Sequence, residues 1–472
     1  MITLNSRAAL YTDFYQLTMA QGYFFSGRSE TKACFDYFYR ENPFGGGYVL
    51  FAGIGDVAEV ISTLRFEEEE VEYLRKQGFR TEFLDYLRRF RFRGSLHSVR
   101  EGEVVFPLEP LVRVEGTLIE GQLIETLLLN MVNFQSLVAT KASRLRTAAG
   151  NRRLVDFGLR RAQGLGGIHA SRAAIIGGVD ATSNVYSAYM YDLEPTGTQA
   201  HSWIQSFDDE LTSFRTFAEM YPTKCVLLVD TYNTLRSGVP NAITVAKELE
   251  QRGHKLQAVR LDSGDLAYLS KHTRAMLDNA GLSYVKIVVS NQLDEYVIRS
   301  LLQQEAPIDT FGVGTRLAVA YDSPALEGVY KLAASDGKPR LKFSDNFNKM
   351  TLPGTKKILR YSDGQGMFYS DGIVLSTESS VDNIVHPFFS AQHSRVDGMH
   401  FEEVMKPVVV EGRLAHPLAT VNECAAYARE RLSHLSAEHK RFENPHTYKV
   451  GVSVKLLDLR SHLYDAISKK IN

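Results

Sequence analysis

The sequence predicts an α/β fold whose strands close into a barrel, and three observations carry that expectation. Between about residues 150 and 335, short apolar runs alternate with helical patterns. Each apolar run ends in a polar or glycine-rich tip. The chain, at 472 residues, is too long for one simple core, so two or three packed units are expected. Strands alternating with helices imply parallel pairing through right-handed crossovers. In a β/α barrel the strand tips converge on one face and build the active site, whereas an open doubly wound sheet gathers fewer of them.

The elements follow in chain order. The first 120 residues or so mix short strands with helices. Four glutamates at 67–70 read as a helix start, because negative charge suits a helix N-terminus, and Val71 and Leu74 supply an apolar side. Residues 88–93 read Arg-Arg-Phe-Arg-Phe-Arg, a period-two pattern that suits a half-buried strand with a solvated basic face better than a nucleic-acid stripe. Farther on, the apolar run at 225–229 ends at Asp230, that at 256–261 at Asp262, that at 285–289 at Ser290 and Asn291, and that at 309–313 at Gly314 and Thr315. Between them Ala242, Val245, Ala246 and Leu249 share one helical face, with Gly253 placed to end the helix. Leu269, Met276, Leu277 and Ala280 read as the buried face of a second helix before Gly281. After about residue 335 the alternation stops. Residues 342–357, with Pro353-Gly354, read as a loop, and a helix near 421–435 opens on a capping box of Thr420 and Glu423. Residues 450–457 read as a strand returning to a second layer shared with the N-terminal region.

Composition sets limits on function. The apolar fraction is 44% and the charged fraction 23%, ordinary for a soluble globular protein. Basic and acidic side chains number 54 and 55, so no global field gathers nucleic acid or an anionic membrane. Any anionic ligand must be held by local chemistry. Cys34, Cys225 and Cys424 match neither a disulfide framework nor zinc-ligand spacing, which fits a reducing compartment. Residues 1–16 lack the pattern of a signal peptide, and no apolar run approaches the roughly 20 residues a membrane helix needs. The expectation is a cytoplasmic protein.

Several chemistries drop out. The chain has no Walker loop, no Gly-x-Ser-x-Gly elbow and no His-x-x-x-His pair. Gly312-Val313-Gly314-Thr315 lacks the third glycine of a dinucleotide fingerprint, yet such a turn after a strand can offer backbone N–H groups to a phosphate. The tips read together suggest a phosphorylated sugar. Asp230 and Asp262 suit ribose hydroxyls or Mg²⁺. Arg160 and Arg260 suit a carboxylate or phosphate in fork geometry, and Phe157 offers a flat face to an aromatic ring.

The sequence also resembles a known family over nearly its whole length. The segments that carry the resemblance begin with Tyr11-Thr12-Asp13-Phe14-Tyr15-Gln16-Leu17-Thr18-Met19 and Asn42-Pro43-Phe44-Gly45-Gly46-Gly47. They continue with Leu159-Arg160-Arg161-Ala162-Gln163-Gly164, Gly197-Thr198-Gln199-Ala200-His201-Ser202 and Leu261-Asp262-Ser263-Gly264-Asp265, and close with Phe311-Gly312-Val313-Gly314-Thr315-Arg316. The family is the nicotinate phosphoribosyltransferases. The resemblance implies an irregular, TIM-like α/β barrel beside an open-faced sandwich domain built from both chain ends. The expected division is 1–125 and 341–472 for the sandwich and 126–340 for the barrel. It further implies a homodimer with active sites at the subunit boundary.

Position by position, His201 matches a histidine that ATP phosphorylates, and Asp230 and Asp262 match carboxylates near the ribose and pyrophosphate. Tyr15, from the partner chain, and Phe157 match aromatics that enclose the pyridine ring. Thr198 and Arg260 match nicotinate contacts, with Arg160, Asp180 and Ser290 counted among the substrate-binding residues. Gly312, Gly314 and Thr315 match the phosphate-binding turn. The implied partners are nicotinate, phosphoribosyl pyrophosphate and ATP, with Mg²⁺ held through substrate phosphates and Asp262 a candidate ligand. The implied reaction is ATP-dependent and ligase-type, in NAD salvage. A nicotinamide phosphoribosyltransferase is the nearest alternative, kept open by Asp180, whose carboxylate near the ring would accept from an amide. A non-catalytic nucleotide- or phosphosugar-binding protein, and an isomerase or aldolase using Lys331, are the alternatives of other classes.

Overall fold

A computed structural model describes residues 8–343, 351–389 and 391–471. The chain forms two compact units, one from Met1–Thr140 with Ala325–Asn472 and the other from Lys141–Pro324. Among the described residues no helix is long and apolar enough to cross a membrane.

The Lys141–Pro324 unit is the barrel. Its six strands are Arg153–Asp156, Ala181–Thr182, Val226–Leu228, Ala258–Leu261, Lys286–Ser290 and Thr310–Val313, here the first to sixth barrel strands. They pair in the order second, first, sixth, fifth, fourth, third, and every pair is parallel. The sixth strand therefore lies against the first, with Val313 opposite Asp156, as ring closure requires. Between the second and third strands the ladder is interrupted. There a single parallel bridge joins Thr182 to Pro195, and the side chain of Gln199 accepts from Leu228 N at 3.3 Å. The barrel is irregular because one of its walls is a loop.

Apolar burial explains the strands and helices. Leu227, Val259, Leu261, Ile287, Val289 and Phe311 are fully buried, as strands covered on both faces demand. The helix Val239–Gln251 buries Ala242, Val245, Ala246 and Leu249, and Gly253 lies at φ +76°, a left-handed position that suits glycine after a helix. In the helix Leu266–Asn279 the buried face is Leu266, Ala267, Ser270, Thr273 and Leu277. Leu269, Met276 and Ala280, read as its centre, lie at the rim because small polar Ser270 and Thr273 take the closest packing. Fully buried Lys141 pairs with buried Glu295 at 2.7 Å, and Arg144 Nε reaches the same carboxylate at 2.7 Å.

The other unit draws on both chain ends. Its seven-stranded antiparallel sheet runs Lys338–Pro339, Gly328–Ser335, Lys32–Tyr39, Val112–Thr117, Ser95–Val99, Met405–Val410, Arg413–Leu414. A six-stranded sheet runs His393–Arg395, Asn383–Val385, Val450–Ser453, Phe368–Leu375, Lys356–Ser362, His400–Glu403. Because Gly328–Ser335 pairs antiparallel with Lys32–Tyr39, the strand–helix alternation stops before residue 335. Residues 88–93 are not a strand. The helix Thr81–Arg89 runs into them, and an extended link follows in which Phe90 and Phe92 are buried while Arg91 and Arg93 are exposed. Their burial alternates as read, but Arg93 N donates to the Glu120 side chain at 2.6 Å instead of entering a ladder.

The glutamates at 67–70 do start a helix, with Glu67 and Glu70 forming a capping box. Thr420 and Glu423 form another at the start of Val421–His434. The loop read at 342–357 lies partly outside the described residues (344–350), and Lys356 already belongs to a strand, where it pairs with buried Asp36 at 2.6 Å. The tail strand is shorter than read: it ends at Ser453, whose hydroxyl accepts from Leu456 N at 3.2 Å and starts the helix Val454–Ile471.

A buried charge network ties the six-stranded sheet, through Glu103 beside the short strand Val104–Val105, to the helix Val421–His434. Arg360 meets Glu103 at 2.5 Å and Asp371 at 2.6 Å, Arg431 meets Glu103 at 2.8 Å, and the Tyr448 hydroxyl donates to Asp371 at 3.0 Å. Burial and the Asp371 charge push the neighbouring Glu109 carboxyl well above the usual range, whereas Arg360 helps to hold Asp371 below it despite burial. Replacing Arg360 by methionine strands Glu103 and Asp371 in an apolar interior. Urea unfolding of Arg360→Met should show a loss of about 3–5 kcal/mol. A loss under about 1 kcal/mol would mean that the network stabilises the fold little.

Candidate active site

The barrel register decides which side chains can meet. Leu228, Arg260 and Val288 stand level across the third, fourth and fifth strands. Two residues on come Asp230 and Asp262, past their strand ends, and Ser290, the last residue of its strand and level with Gly312 of the sixth. The apolar runs therefore end together. Their polar tips share one mouth.

Arg260 is the centre of that mouth. Its Nε donates to Ser290 Oγ at 2.9 Å, Nη1 to Thr198 Oγ1 at 2.9 Å and to Gln199 O at 3.4 Å, and Nη2 to Asp262 Oδ1 at 2.9 Å. Its guanidinium carbon also stands 5.2 Å from the centre of the Phe157 ring, within cation–π range. Asp262 Oδ1 also accepts from Ser290 Oγ. Asp230 Oδ2 accepts from Asp262 N at 2.7 Å and from Ser263 Oγ at 2.6 Å, while its buried Oδ1 has no partner. His201 Nδ1 lies 3.0 Å from Thr231 Oγ1, and Nε2 lies 3.8 Å from Asp262 Oδ2.

Phe157 takes its place because Gly312 has no side chain. A Cβ at Gly312 would come within 2.3 Å of the Phe157 ring. Thr315 opens a single turn, Thr315–Ala318, directly after Gly314. Asp156, under the first tip, is buried and accepts from Gly158 N, Ser171 Oγ and Thr182 Oγ1, each at 2.7 Å, so its carboxylate is committed to the scaffold.

The structure thus gathers Phe157, Thr198, His201, Asp230, Arg260, Asp262, Ser290 and Gly312 around one mouth. Gly314 and Thr315 continue the sixth strand, and Arg160 is exposed in the turn Leu159–Arg161 after Phe157. Tyr15 belongs to the other unit, in the helix Phe14–Phe25, with 51% of its surface exposed. Asp180 is not brought to the mouth. It precedes the second strand, where its carboxylate accepts from Leu154 N at 2.7 Å and pairs with Arg146 at 2.5 Å, near the other end of the first strand. The residues that do follow the second strand's end are Ser183 and Asn184.

Sequence reasoning missed three contributors. Thr231 holds the His201 ring, Ser263 fixes Asp230, and Gln199 ties the Thr198 segment to the third strand. Each sits beside a residue that was singled out, and Gln199 and Ser263 also lie within the segments that carry the family resemblance.

Comparison with known proteins places the chain in a family. Residues 10–133 match the nicotinate phosphoribosyltransferase N-terminal domain, residues 152–383 the nicotinate phosphoribosyltransferase family, and residues 355–460 its C-terminal domain. The chain is 43% identical to nicotinate phosphoribosyltransferase of Bacillus subtilis, over 94% of this chain and 93% of that protein. It is 33% identical to the Bos taurus nicotinate phosphoribosyltransferase, over 96% of each. The crystal structure of human nicotinic acid phosphoribosyltransferase superposes with a TM-score of 0.86 at 32% identity, covering 96% of this chain and 99% of that one. A nicotinate-nucleotide pyrophosphorylase from Pyrococcus furiosus, at 24% identity and a TM-score of 0.71 over 90% of this chain and 95% of that one, shares the fold. This chain belongs to the nicotinate phosphoribosyltransferase family.

Proposed function

We propose that this protein is a cytoplasmic enzyme of NAD salvage that joins nicotinate to phosphoribosyl pyrophosphate, releasing nicotinate mononucleotide and pyrophosphate, coupled to ATP hydrolysis through a phosphohistidine at His201. The observation that carries the reading is Arg260 against the Phe157 ring, with Asp230, Asp262 and His201 at the same mouth. A flat ring bearing a carboxylate suits that pair: the ring stacks on Phe157 while the carboxylate meets the guanidinium and the Thr198 hydroxyl.

Nicotinamide is the poorer fit. Its amide would want an acceptor, and Asp180 is spent on Leu154 N and Arg146. Lys331 lies in the strand Gly328–Ser335, outside the barrel unit, which disfavours an isomerase or aldolase reading. A mere binding module has no use for a histidine poised between a hydroxyl and a carboxylate.

In the transfer step the bond from the anomeric carbon to pyrophosphate breaks and a bond to the pyridine nitrogen forms on the opposite face. No enzyme nucleophile is needed, so positioning and charge stabilisation supply the rate. We assign Asp230 and Asp262 to the ribose and to the positive charge that develops on it. The turn at Gly312, Gly314 and Thr315, continuing the sixth strand, is assigned the phosphate. The unpartnered Asp230 Oδ1 and Asp262 Oδ2 are oxygen donors of the kind Mg²⁺ takes, and these two residues would hold it. Among the described residues no group of three or more ligating side chains stands ready for a metal, so phosphate oxygens would complete the coordination. When bound, Mg²⁺ neutralises phosphate charge.

Nicotinate should be the base used. Loss of a charge-assisted bond to Arg260 costs about 1.5–3 kcal/mol, so nicotinamide should turn over roughly ten- to a hundredfold less efficiently. Steady-state assays with both bases test this, and equal kcat/KM values would refute it. Incubation with γ-labelled ATP and Mg²⁺ should place an acid-labile, base-stable phosphoryl group on the protein, and His201→Asn should remove it. Label surviving in that variant would put the phosphoryl group on another residue.

We also assign a homodimer in which Tyr15, half-exposed on its own chain, stacks on the pyridine ring in the partner's site. Tyr15→Ala and His201→Ala homodimers should each lose ATP-coupled activity. Exchange of their subunits should restore about a quarter of wild-type activity, because random pairing leaves one intact site in each heterodimer. No gain after confirmed exchange would show that Tyr15 serves its own chain.

A further inference from the structure

Arginine–carboxylate pairs are frequently bidentate, with the two carboxylate oxygens on two nitrogens of the fork. Arg260 and Asp262 do not meet in that way. Asp262 Oδ1 accepts from Arg260 Nη2 at 2.9 Å, while Arg260 Nε donates to Ser290 Oγ at 2.9 Å. The place beside Nε that a second carboxylate oxygen would fill is taken by a serine hydroxyl.

The strand register explains how the serine comes there. Val288 stands level with Arg260 and Val289 with Leu261, so Ser290 follows beside Asp262, on the face that Arg260 shares. Ser290 closes its strand and is only 3% exposed. The two bonds of its hydroxyl have fixed directions. An arginine N–H only donates, so Oγ accepts there, and a carboxylate only accepts, so the hydroxyl proton lies toward Asp262 Oδ1. Nε, Oγ, Oδ1 and Nη2 thus close a ring of three hydrogen bonds. That ring uses Oδ1 twice and leaves Oδ2 outside it.

We propose that Ser290 is a positioning residue that keeps Asp262 monodentate on Arg260, and that it thereby sets the preference for a base bearing a carboxylate. The inference rests on the nicotinate reading given above. A bidentate Asp262 would pair the arginine charge more fully and draw both of its own oxygens onto the guanidinium. With the serine between them, Arg260 keeps its attraction for a second anion and Asp262 keeps one oxygen for the mouth. Ser290 acts through Arg260 in this role and touches no ligand, because its side chain is buried and its one hydroxyl proton is committed to Asp262.

The test compares Ser290→Ala, which empties the place beside Nε, with Ser290→Thr, which keeps a hydroxyl there. Steady-state KM and kcat are measured for nicotinate and nicotinamide, and melting temperatures are recorded on the same preparations. Crystal structures of wild type and Ser290→Ala show the Arg260–Asp262 contact. In Ser290→Ala, Asp262 should swing to take both Nε and Nη2. KM for nicotinate should rise roughly tenfold with a smaller fall in kcat, and the preference over nicotinamide should shrink by a similar factor. Ser290→Thr should return KM to within about threefold of wild type. A wild-type KM in Ser290→Ala, a carboxylate that stays on Nη2 alone, or an equally high KM in Ser290→Thr would each overturn the role of Ser290. So would a fall in kcat and melting temperature at unchanged KM, which marks a merely structural residue. A wild-type chain that turns over both bases equally overturns the nicotinate reading itself, a result distinct from any of these.

Discussion

The unpaired edge between the second and third barrel strands is the constraint from which the rest of the site follows. A buried backbone N–H must find an acceptor, and Leu228 N, on the open side of the third strand, has no neighbouring strand to supply one. The Gln199 side chain does so, while Pro195 bridges to Thr182 on the other side of the gap. The loop that mends the wall is also the loop that carries Thr198 and His201. Arg260 then clamps it from the fourth strand through Thr198 Oγ1 and Gln199 O. The candidate site sits where the barrel is incomplete because that is where the chain had to leave regular pairing.

Two arginines show how burial and partners separate a scaffold charge from one left open to a ligand. Arg360 is fully buried between Glu103 and Asp371, and its positive charge is spent. Arg260 is only partly buried and meets a single carboxylate, which also accepts from Ser290 and faces His201. Its remaining contacts are neutral oxygens and an aromatic face. A guanidinium so placed is oriented by five neighbours yet retains attraction for an anion. The carboxylates divide in the same way. Asp156 satisfies three donors of the scaffold, whereas Asp230 leaves one oxygen without a partner.

Much of this was legible in the sequence, and the failures have physical causes. Apolar runs ending at Asp230, Asp262, Ser290 and Gly314 marked the strand tips, because a parallel strand buried on both faces must be apolar and must turn polar on leaving the core. Asp180 shows the limit of that logic. It precedes a strand of two residues, too short for a pattern to reveal which end of the barrel it occupies. Thr231 and Gln199 were passed over because their bonds join segments about 30 residues apart, which no local periodicity records. The alternation at residues 88–93 described burial correctly and pairing wrongly, since burial is a property of side chains and a ladder needs a partner strand.

The way the two chain ends share a sheet bears on the order in which the protein can assemble. Lys32–Tyr39 pairs on one side with Val112–Thr117 but on the other with Gly328–Ser335, and Phe368–Leu375 waits for Val450–Ser453. During synthesis the first strands emerge long before their later partners exist. The barrel, by contrast, is contiguous from Lys141 to Pro324 and can close as soon as its sixth strand leaves the ribosome. Uniting Lys32–Tyr39 with Gly328–Ser335 closes a loop that contains the whole barrel segment, and the entropy cost of such closure grows only slowly with length. A nascent chain therefore passes through a stage in which one unit is complete and the other is half a sheet with an open edge, a natural point for chaperone capture.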